Sequence, residues 1–444
     1  MSWDLIFALI FYCLIILFYL RNKKKFEVQG GFFFIYRTKL GLKLMDKIAK
    51  KDSNKLIKKI GLILLLISIV LFILALGVYL KNFNFILSLP VLLELGLLLF
   101  IIGFVLFVSL KKLQNISITT AFLGMAFIFI FLIVATIKLI LNPASTPALA
   151  PVIPGVQVSP ELPVLGFWHW IIAILIIAVV HEFSHGIYAR FHKIKIKSSG
   201  FAFLGPILAA FVEPDEKAME KKSKKSQLGI FSAGPFSNIV LFVIILLISL
   251  LVINPITSSQ LQYEGVKIVS IEKNSPFELA GLQPGMQITN INNAEIKNLN
   301  DLVLEINKLK PNTKINISTQ NETFLVNVAE STATPNGIYL GVSVSPVKIG
   351  FKEGSKILGT IFLWLSQLFQ WLYVISFGVG LFNLLPIGPV DGGRMFLTLC
   401  NRFTTPEKAK KIWTYMTSFC LLLIFINLLP YLIKMFSFFI HIFI

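Results

Sequence analysis

The chain has 444 residues, of which 56% are hydrophobic and only 14% are charged. A typical soluble domain is about half apolar and about a quarter charged, so this shortage of charge excludes an ordinary water-soluble protein. The net charge of +19 lies in short basic runs between apolar segments, which indicates membrane topology and no nucleic-acid partner. The three cysteines have no CxxC spacing, so neither a disulfide framework nor a thiolate metal site is indicated.

Eight apolar segments are long enough to cross a bilayer as helices, which takes about 20 residues each. The first lacks a basic region before it and a small-residue cleavage site after it, so it is interpreted as a retained anchor. The sequence therefore predicts a polytopic α-helical membrane protein. The predicted spans are residues 4–20, 60–80, 86–110, 119–141, 165–190, 228–252, 356–382 and 412–433.

Basic residues concentrate in alternate connections between these spans. Residues 21–59 carry 13 Lys or Arg, residues 190–225 carry nine and residues 394–411 carry five, whereas residues 142–163 carry none. Lys and Arg are retained on the cytoplasmic side, so the basic connections are predicted to be cytoplasmic and the N-terminus external. The long connection after the sixth span is then predicted to be extracytoplasmic.

Composition also predicts a division into domains. Residues 1–141 form an N-terminal membrane extension of about four helices, and residues 142–164 form a Pro-rich extracytoplasmic loop. Residues 165–254 and 351–444 form the two parts of a membrane core. Residues 255–350 are more polar and form an inserted α+β domain on the extracytoplasmic side.

The inserted domain has strand-like alternation at residues 266–271 and 286–291 and a helical pattern at residues 300–309. Its run SPFELAGLQPGMQITNINN resembles the PDZ domains that are attached to membrane-linked proteases. The resemblance implies binding of an extended peptide by strand addition. The carboxylate-binding loop of such domains maps either to residues 263–266 or to residues 339–342.

The run AVVHEFSHG carries the strongest chemical signal. His181 and His185 are four residues apart, which places both imidazoles on one face of a helix, and Glu182 lies beside them. This pattern is typical of a zinc site with a general base. The ten residues before His181 are all apolar, and ionisable side chains at membrane depth indicate function. The alternative is a helix end with solvated His and Glu at the interface.

A hydrolytic zinc site usually has three protein ligands, and no third ligand follows closely after His185. Asp391 is the best candidate, because it follows an apolar span and lies among Gly and Pro residues that break the helix. The fifth and seventh spans both run inward, so His181 and Asp391 are predicted to reach a similar depth. The alternative is a solvated Asp that caps the next helix.

Two motifs together carry a family resemblance. HEFSH at residues 181–185 and NLLPIGPVDGG at residues 383–393, with the PDZ-like insert between them, resemble the site-two protease family of intramembrane zinc metalloproteases. SAGPFSN at residues 232–238 resembles the GPxxN segment of that family. The catalytic core then contains the HExxH helix, the GPxxN helix, the Asp-bearing helix and a C-terminal helix.

The resemblance implies roles for further residues. Asn238 and Asn383 are expected to bind the extended substrate backbone near Zn²⁺, and Glu182 to act as the catalytic base. Residues 201–212 are too short to cross the bilayer and contain Gly and Pro, so they are predicted to form a re-entrant hairpin. The resemblance to the site-two protease family implies that this hairpin offers a strand edge to an unwound substrate.

The expected function is hydrolysis of peptide bonds in or near transmembrane segments of membrane proteins. The expected location is the cell membrane, with the active site inside the lipid bilayer nearer its cytoplasmic face. The expected partners are transmembrane protein substrates and a peptide ligand of the PDZ-like domain. The main alternative is a non-catalytic membrane scaffold that binds peptides through that domain.

Two further alternatives fit less well. A metal transporter needs more ionisable residues along other spans than this sequence has. The zinc proteases that process prenylated proteins also use HExxH, but they take a Glu as third ligand and lack the run NxxP…DG.

Overall fold

A computed structural model describes residues 3–29, 33–79, 88–143, 145, 147–155, 162–204, 207–330 and 337–443. The chain divides into two compact units. A membrane unit comprises residues 1–158, 164–252 and 367–444, and an inserted unit comprises residues 159–163 and 253–366. The N-terminal extension thus belongs to the same unit as the HExxH motif.

The helices account for most of the chain, and a π-helical turn joins the eighth helix to the ninth. They are α1 Trp3–Asn22, α2 Leu42–Ala49, α3 Lys55–Tyr79, α4 Leu89–Phe107, α5 Leu110–Leu141, α6 Phe167–Phe191, α7 Glu216–Glu220, α8 Lys224–Ile248, α9 Asn254–Gln260, α10 Pro276–Leu279, α11 Leu299–Ile306, α12 Lys356–Phe382, α13 Asp391–Phe403 and α14 Pro406–Phe443.

Seven helices in the described part of the chain are long and apolar enough to cross a membrane. They are α3, α4, α5, α6, α8 continued through α9, α12 and the part of α14 up to Ile433. These seven helices coincide with seven of the eight predicted spans, and they confirm the prediction of a polytopic helical protein. The first predicted span is the 20-residue helix α1, and the count of eight stays a prediction. Between 17% and 33% of each apolar stretch is buried, so most of its side chains face outward, as in a protein surrounded by lipid.

Four strands form an antiparallel sheet in the order β1-β2-β3-β4. They are β1 Phe26–Gln29, β2 Phe33–Thr38, β3 Ile196–Leu204 and β4 Ile207–Pro214. The predicted hairpin at residues 201–212 is therefore a β-hairpin, although its tip, Gly205 and Pro206, lies outside the described residues. The sequence analysis gave the N-terminal extension helices only, whereas the structure adds two strands to it.

Helix α5 packs into the same core as the helices that carry the motifs. Met125 and Leu132 of α5 lie in one buried cluster with Ile230 of α8 and Leu384. The approach is close, because a Cβ added to Gly124 would lie 2.6 Å from a methyl of Leu384. The last predicted span of the N-terminal extension is thus an integral part of the membrane core.

The inserted unit contains its own sheet and core. Its main sheet has the strand order β12-β5-β6-β8-β9, β7 pairs with β6, and β10 pairs with β11. The predicted strands and helix of this region are confirmed as β5, β6 and α11, and its identity as a PDZ domain stays a prediction. The strands are β5 Leu261–Ile271, β6 Gln287–Ile291, β7 Ala294–Glu295, β8 Lys314–Thr319, β9 Thr323–Asn327, β10 Ala329–Glu330, β11 Ile338–Tyr339 and β12 Val342–Phe351.

Candidate active site

The two histidines of the HExxH motif lie on one face of α6. Their rings are 4.8 Å apart, edge to face, and the Nε2 atoms of His181 and His185 are 3.1 Å apart. His181 is 8% exposed, and the ten helical residues before it are all apolar. Helical spacing alone explains this pairing, because residues four apart lie one turn above each other.

A tight turn brings Asp391 to the same place. The backbone N–H of Gly392 donates to the carbonyl of Asn383 at 2.7 Å, which closes the segment between α12 and α13. The turn requires glycine, because a Cβ at Gly392 or Gly393 would lie 2.3 Å or 2.0 Å from a backbone carbonyl oxygen. Asp391 is the first residue of α13, so the turn sets the direction in which its carboxylate points.

The structure brings the three predicted metal ligands together. Asp391 Oδ2 lies 3.0 Å from His181 Nε2 and 3.2 Å from His185 Nε2. The possible ligand atoms of the three residues lie within 4.8 Å of one another. Two imidazole nitrogens and one carboxylate oxygen are a common donor set for zinc. The fourth position of a catalytic zinc site is left for a water or a substrate.

Polar groups behind the imidazoles fix their orientation. His185 Nδ1 lies 2.6 Å from the carbonyl oxygen of Ile230, so this nitrogen carries the proton and Nε2 offers its lone pair. His181 Nδ1 lies 3.0 Å from the carboxamide of the fully buried Asn238. A metal at His181 Nε2 requires the proton on Nδ1, and the Asn238 carboxamide must then present its oxygen.

A glycine of the GPxxN segment lies directly against the histidine pair. A Cβ added to Gly234 would lie 2.4 Å from His185 Nε2 and 2.5 Å from His181 Nε2. These are the two nitrogen atoms of the candidate metal site, so Gly234 of α8 leaves the space that the ligands occupy. The sequence analysis identified the segment by resemblance but gave this residue no role.

Glu182 lies on the wall of a cavity of about 450 Å³ that also borders His181, His185 and Asp391. Its Oε2 accepts a hydrogen bond of 3.0 Å from the backbone N–H of Val212 in β4. The predicted base is thus linked to the edge of the four-stranded sheet. Its catalytic role remains a prediction.

The two asparagines with a predicted substrate role occupy different positions. Asn383 borders the cavity, and its Nδ2 donates to the carbonyl of Val379 at 3.1 Å. Asn238 is 0% exposed, and its carboxamide contacts the ring of His181, which is a candidate metal ligand. Substrate binding by either asparagine stays a prediction.

Arg37 of β2 also borders the cavity, although it was not among the residues predicted for the site. Its guanidinium donates to Glu27 and to Ser198 Oγ, each at 2.9 Å, and forms an ion pair with Glu213 of β4. The basic run around Arg37 concealed it among residues that were interpreted as topological. The aromatic and β-branched residues of FFIYRT were a signal for a strand at this position.

The inserted unit contains a separate apolar groove of about 210 Å³. Leu302 and Ile306 of α11 form one wall, and Leu340 and Val342 form another. Strand β12 is at the edge of its sheet, and Gly341 at its beginning has φ +67°. The groove therefore borders residues 339–342, one of the two loops that the sequence left open.

Comparison with known proteins agrees with this geometry. Residues 169–425 match Peptidase family M50. An uncharacterized protein of Methanocaldococcus jannaschii is 30% identical over 381 residues, which are 85% of this chain and 80% of that protein. A protein of Clostridium acetobutylicum named "Putative zinc metalloprotease" is 22% identical in an alignment 315 positions long, which covers 54% of this chain and 89% of that protein. The chain therefore belongs to peptidase family M50, the site-two protease family.

Proposed function

We propose that this protein is an intramembrane zinc metalloprotease that cuts membrane proteins in or near their transmembrane segments. The observation that carries the proposal is the convergence of His181, His185 and Asp391 on helices of the membrane unit. His185 and Asp391 are 206 positions apart in the sequence, so only the packing of the helices brings them together. A peptidase family supplies the reaction type, and the apolar helices supply the location.

The residues fit a zinc ion on several independent grounds. The donor set suits zinc, His185 Nδ1 is oriented by a backbone carbonyl, and Gly234 leaves room for the two Nε2 atoms. His181, His185 and Asp391 would hold the ion. When bound there, zinc supplies an activated water and polarises the scissile carbonyl.

Glu182 serves as the general base and acid in this proposal. Its carboxylate borders the same cavity as the three ligands, which is where a substrate carbonyl must lie. Its free oxygen, Oε1, takes a proton from the attacking water and later delivers it to the leaving amine. The hydrogen bond from Val212 to Oε2 holds the carboxylate in place without occupying its other oxygen.

The outer edge of β4 is the proposed binding site for the substrate backbone. In the described sheet, β4 pairs only with β3, so its other edge has unpaired backbone groups apart from the Val212 N–H. An extended peptide can add to such an edge by main-chain hydrogen bonds. A transmembrane helix must unwind before it binds there, because its own hydrogen bonds hide its peptide groups.

We further propose that the inserted unit is a PDZ-like domain on the extracytoplasmic side. The groove beside Leu340 and Val342 supports residues 339–342 as its carboxylate-binding loop. The charge distribution supports the orientation, with the active site nearer the cytoplasmic face. A peptide ligand of this domain would be recognised by strand addition next to β12.

The test uses the purified full chain and a single-span model substrate, with and without a zinc chelator. We expect Glu182→Gln to lower the cleavage rate by about 10²–10⁴, the usual contribution of a general base. Zinc content should stay at the wild-type level, because Glu182 is not one of the proposed ligands. The matched control is Glu407→Gln, at an exposed position of α14.

Cleavage that continues at the wild-type rate in Glu182→Gln and in the presence of chelator would refute the zinc mechanism. The scaffold alternative predicts that outcome together with intact peptide binding. It is disfavoured by the arrangement of the three ligands, which peptide binding by another domain does not require.

A further inference from the structure

A second cavity of the membrane unit lies on the flank of the metal-site helices, away from the proposed active site. It has a volume of about 420 Å³ and lies between the N-terminal helices and the helices α6 and α8. Along α8 it extends from Ala233 to Ile244, a distance of about 16 Å at the helical rise. The cavity is therefore elongated along a membrane-spanning helix.

The walls of this flank cavity are mostly apolar, apart from Lys51, the Tyr188 hydroxyl and two serines whose hydroxyls donate within their own helices. Ser184 donates to the carbonyl of Val180 at 2.8 Å, and Ser237 donates to the carbonyl of Gly234 at 2.7 Å. Both serines present mainly carbon to the cavity. Such walls favour a hydrocarbon chain over a polar ligand.

Lys51 is the one charged side chain on these walls, and it is only 6% exposed. Its ammonium donates to the carbonyl of Val105 near the end of α4, and no carboxylate of the described residues forms an ion pair with it. The neighbouring Asp52 accepts the backbone N–H of Leu110, at 3.1 Å and 3.0 Å. Lys51 thus has a buried positive charge whose hydrogen-bond partner is a neutral carbonyl, and Asp52 acts on it without forming an ion pair among the described residues.

An anion beside Lys51 would stabilise its buried positive charge. Burial lowers the pKa of the Lys51 ammonium more than the nearby Asp52 raises it. A buried charge that lacks an ion pair is costly, and an anionic ligand in contact with it would reduce that cost. The helix carbonyl uses one of the three ammonium protons, so donors remain for an anion.

The position of Lys51 agrees with the level of lipid headgroups. It lies four residues before α3 begins at Lys55, in the basic connection that is predicted to be cytoplasmic. Basic residues next to a membrane span attract anionic lipids. The charge thus lies at the membrane surface, and the apolar part of the cavity extends into the bilayer.

The helices α3 and α4 explain why a gap exists at this place. They pack closely against each other at Gly61 and Gly103, where an added Cβ would lie 2.6 Å and 2.9 Å from backbone atoms of the opposite helix. The faces of α3 and α4 that carry these glycines therefore pack against each other and not against α6 or α8. The remaining contact with α6 and α8 leaves the space that the flank cavity occupies.

We propose that the flank cavity binds one anionic phospholipid of the surrounding bilayer, with its phosphate at Lys51 and one hydrocarbon chain along α8. The hydrocarbon chain of the lipid then contacts Val180 and Ile187 of α6 and Ala233 of α8, next to the candidate metal site. Binding therefore stabilises the arrangement of the two helices that carry the site. The inference does not depend on the proposed proteolysis.

The experiment uses the full chain in detergent after removal of copurified lipid. Native mass spectrometry measures binding of phosphatidylglycerol and phosphatidylcholine, and thermal unfolding is followed with each lipid. We expect phosphatidylglycerol to bind and to raise the unfolding temperature more than phosphatidylcholine does. Lys51→Met should weaken phosphatidylglycerol binding at least about tenfold, or about 1.4 kcal/mol. Lys50→Met, an exposed neighbouring position, is the matched control and should bind as the wild type does.

A second variant tests the hydrocarbon part and remains informative if Lys51→Met does not fold. Val240→Phe fills the cavity from α8 and should also reduce phosphatidylglycerol binding, whereas Leu123→Phe, on the exposed face of α5, should not. Equal binding of both lipids would overturn the proposal, as would unchanged binding in Val240→Phe. Binding of free palmitate in place of phosphatidylglycerol would also overturn it.

Discussion

At the residue scale, the candidate metal site depends as much on small residues as on its ligands. Gly392 and Gly393 allow the turn that presents Asp391, and Gly234 leaves the space in front of the two imidazoles. Each of them lies where a Cβ would meet a backbone oxygen or a ligand nitrogen at less than 3 Å. The motifs therefore contain glycine for steric reasons, which are separate from the chemistry of the ligands.

Substitution of Gly234 tests this explanation directly. In Gly234→Ala the added methyl group displaces the imidazoles, so we expect zinc affinity to fall by about 10- to 100-fold. A competition titration with a chromophoric chelator measures the affinity. The control is Gly378→Ala in α12, where an added Cβ meets nothing within 4 Å. Wild-type affinity in Gly234→Ala would show that the histidines do not bind metal through Nε2.

At the element scale, the four-stranded sheet connects the N-terminal extension to the candidate active site. Strand β2 pairs with β3 from Phe33↔Leu204 to Thr38↔Ser199, and β4 supplies the N–H that binds Glu182. The match to the peptidase family begins at residue 169, so β1 and β2 lie before it. The extension therefore completes a structure that borders the site.

Backbone donors on the outer edge of β4 provide a test of substrate binding. Val212 uses its N–H outside the sheet, and Ala210, two residues earlier, points its N–H to the same edge. Ala210→Pro removes this donor, and we expect KM for the model substrate to rise by up to about tenfold, as for one net hydrogen bond. Zinc content should not change.

The side-chain control for this variant is Ala210→Leu, which keeps the N–H and should leave KM closer to the wild-type value. If both variants raise KM equally, the effect comes from side-chain bulk and the strand-addition proposal fails. If neither does, the substrate backbone does not use this edge.

At the scale of the whole molecule, the described residues contain two separate hydrophobic cores. The core of the inserted unit includes Ile317, which is 0% exposed, and it consists only of residues from that unit. About 90 residues with their own core are enough for an independently stable domain. We therefore expect residues 261–351, expressed alone, to fold and to unfold cooperatively.

Two substitutions in neighbouring strands check that this core has formed in the isolated domain. Ile317→Ala in β8 should lower the free energy of unfolding by about 2–5 kcal/mol, because it removes buried methyl groups. Leu325→Ala in β9, which is 57% exposed, should change it by less than about 0.5 kcal/mol. Chemical denaturation followed by circular dichroism measures both values. Equal effects at the two positions would contradict the described core.

The sequence by itself determined the features that depend on local periodicity. Apolar stretches of about 20 residues predicted seven spans that the structure confirms, and a spacing of four placed His181 and His185 on one helix face. The Gly and Pro residues around Asp391, after an apolar span, made it the candidate third ligand, and the family membership that two motifs indicated is confirmed. All of these signals lie within single elements or short motifs.

Only the tertiary structure decided which distant residues meet. The contact of Asn238 with His181, the closeness of Gly234 to both imidazoles and the position of Arg37 on the cavity wall each join separate elements. Local patterns do not encode such contacts, because they arise when whole elements pack. The burial of Lys51 among apolar helices has the same origin, since the adjacent Lys50 and the nearby Lys47 and Lys55 are exposed.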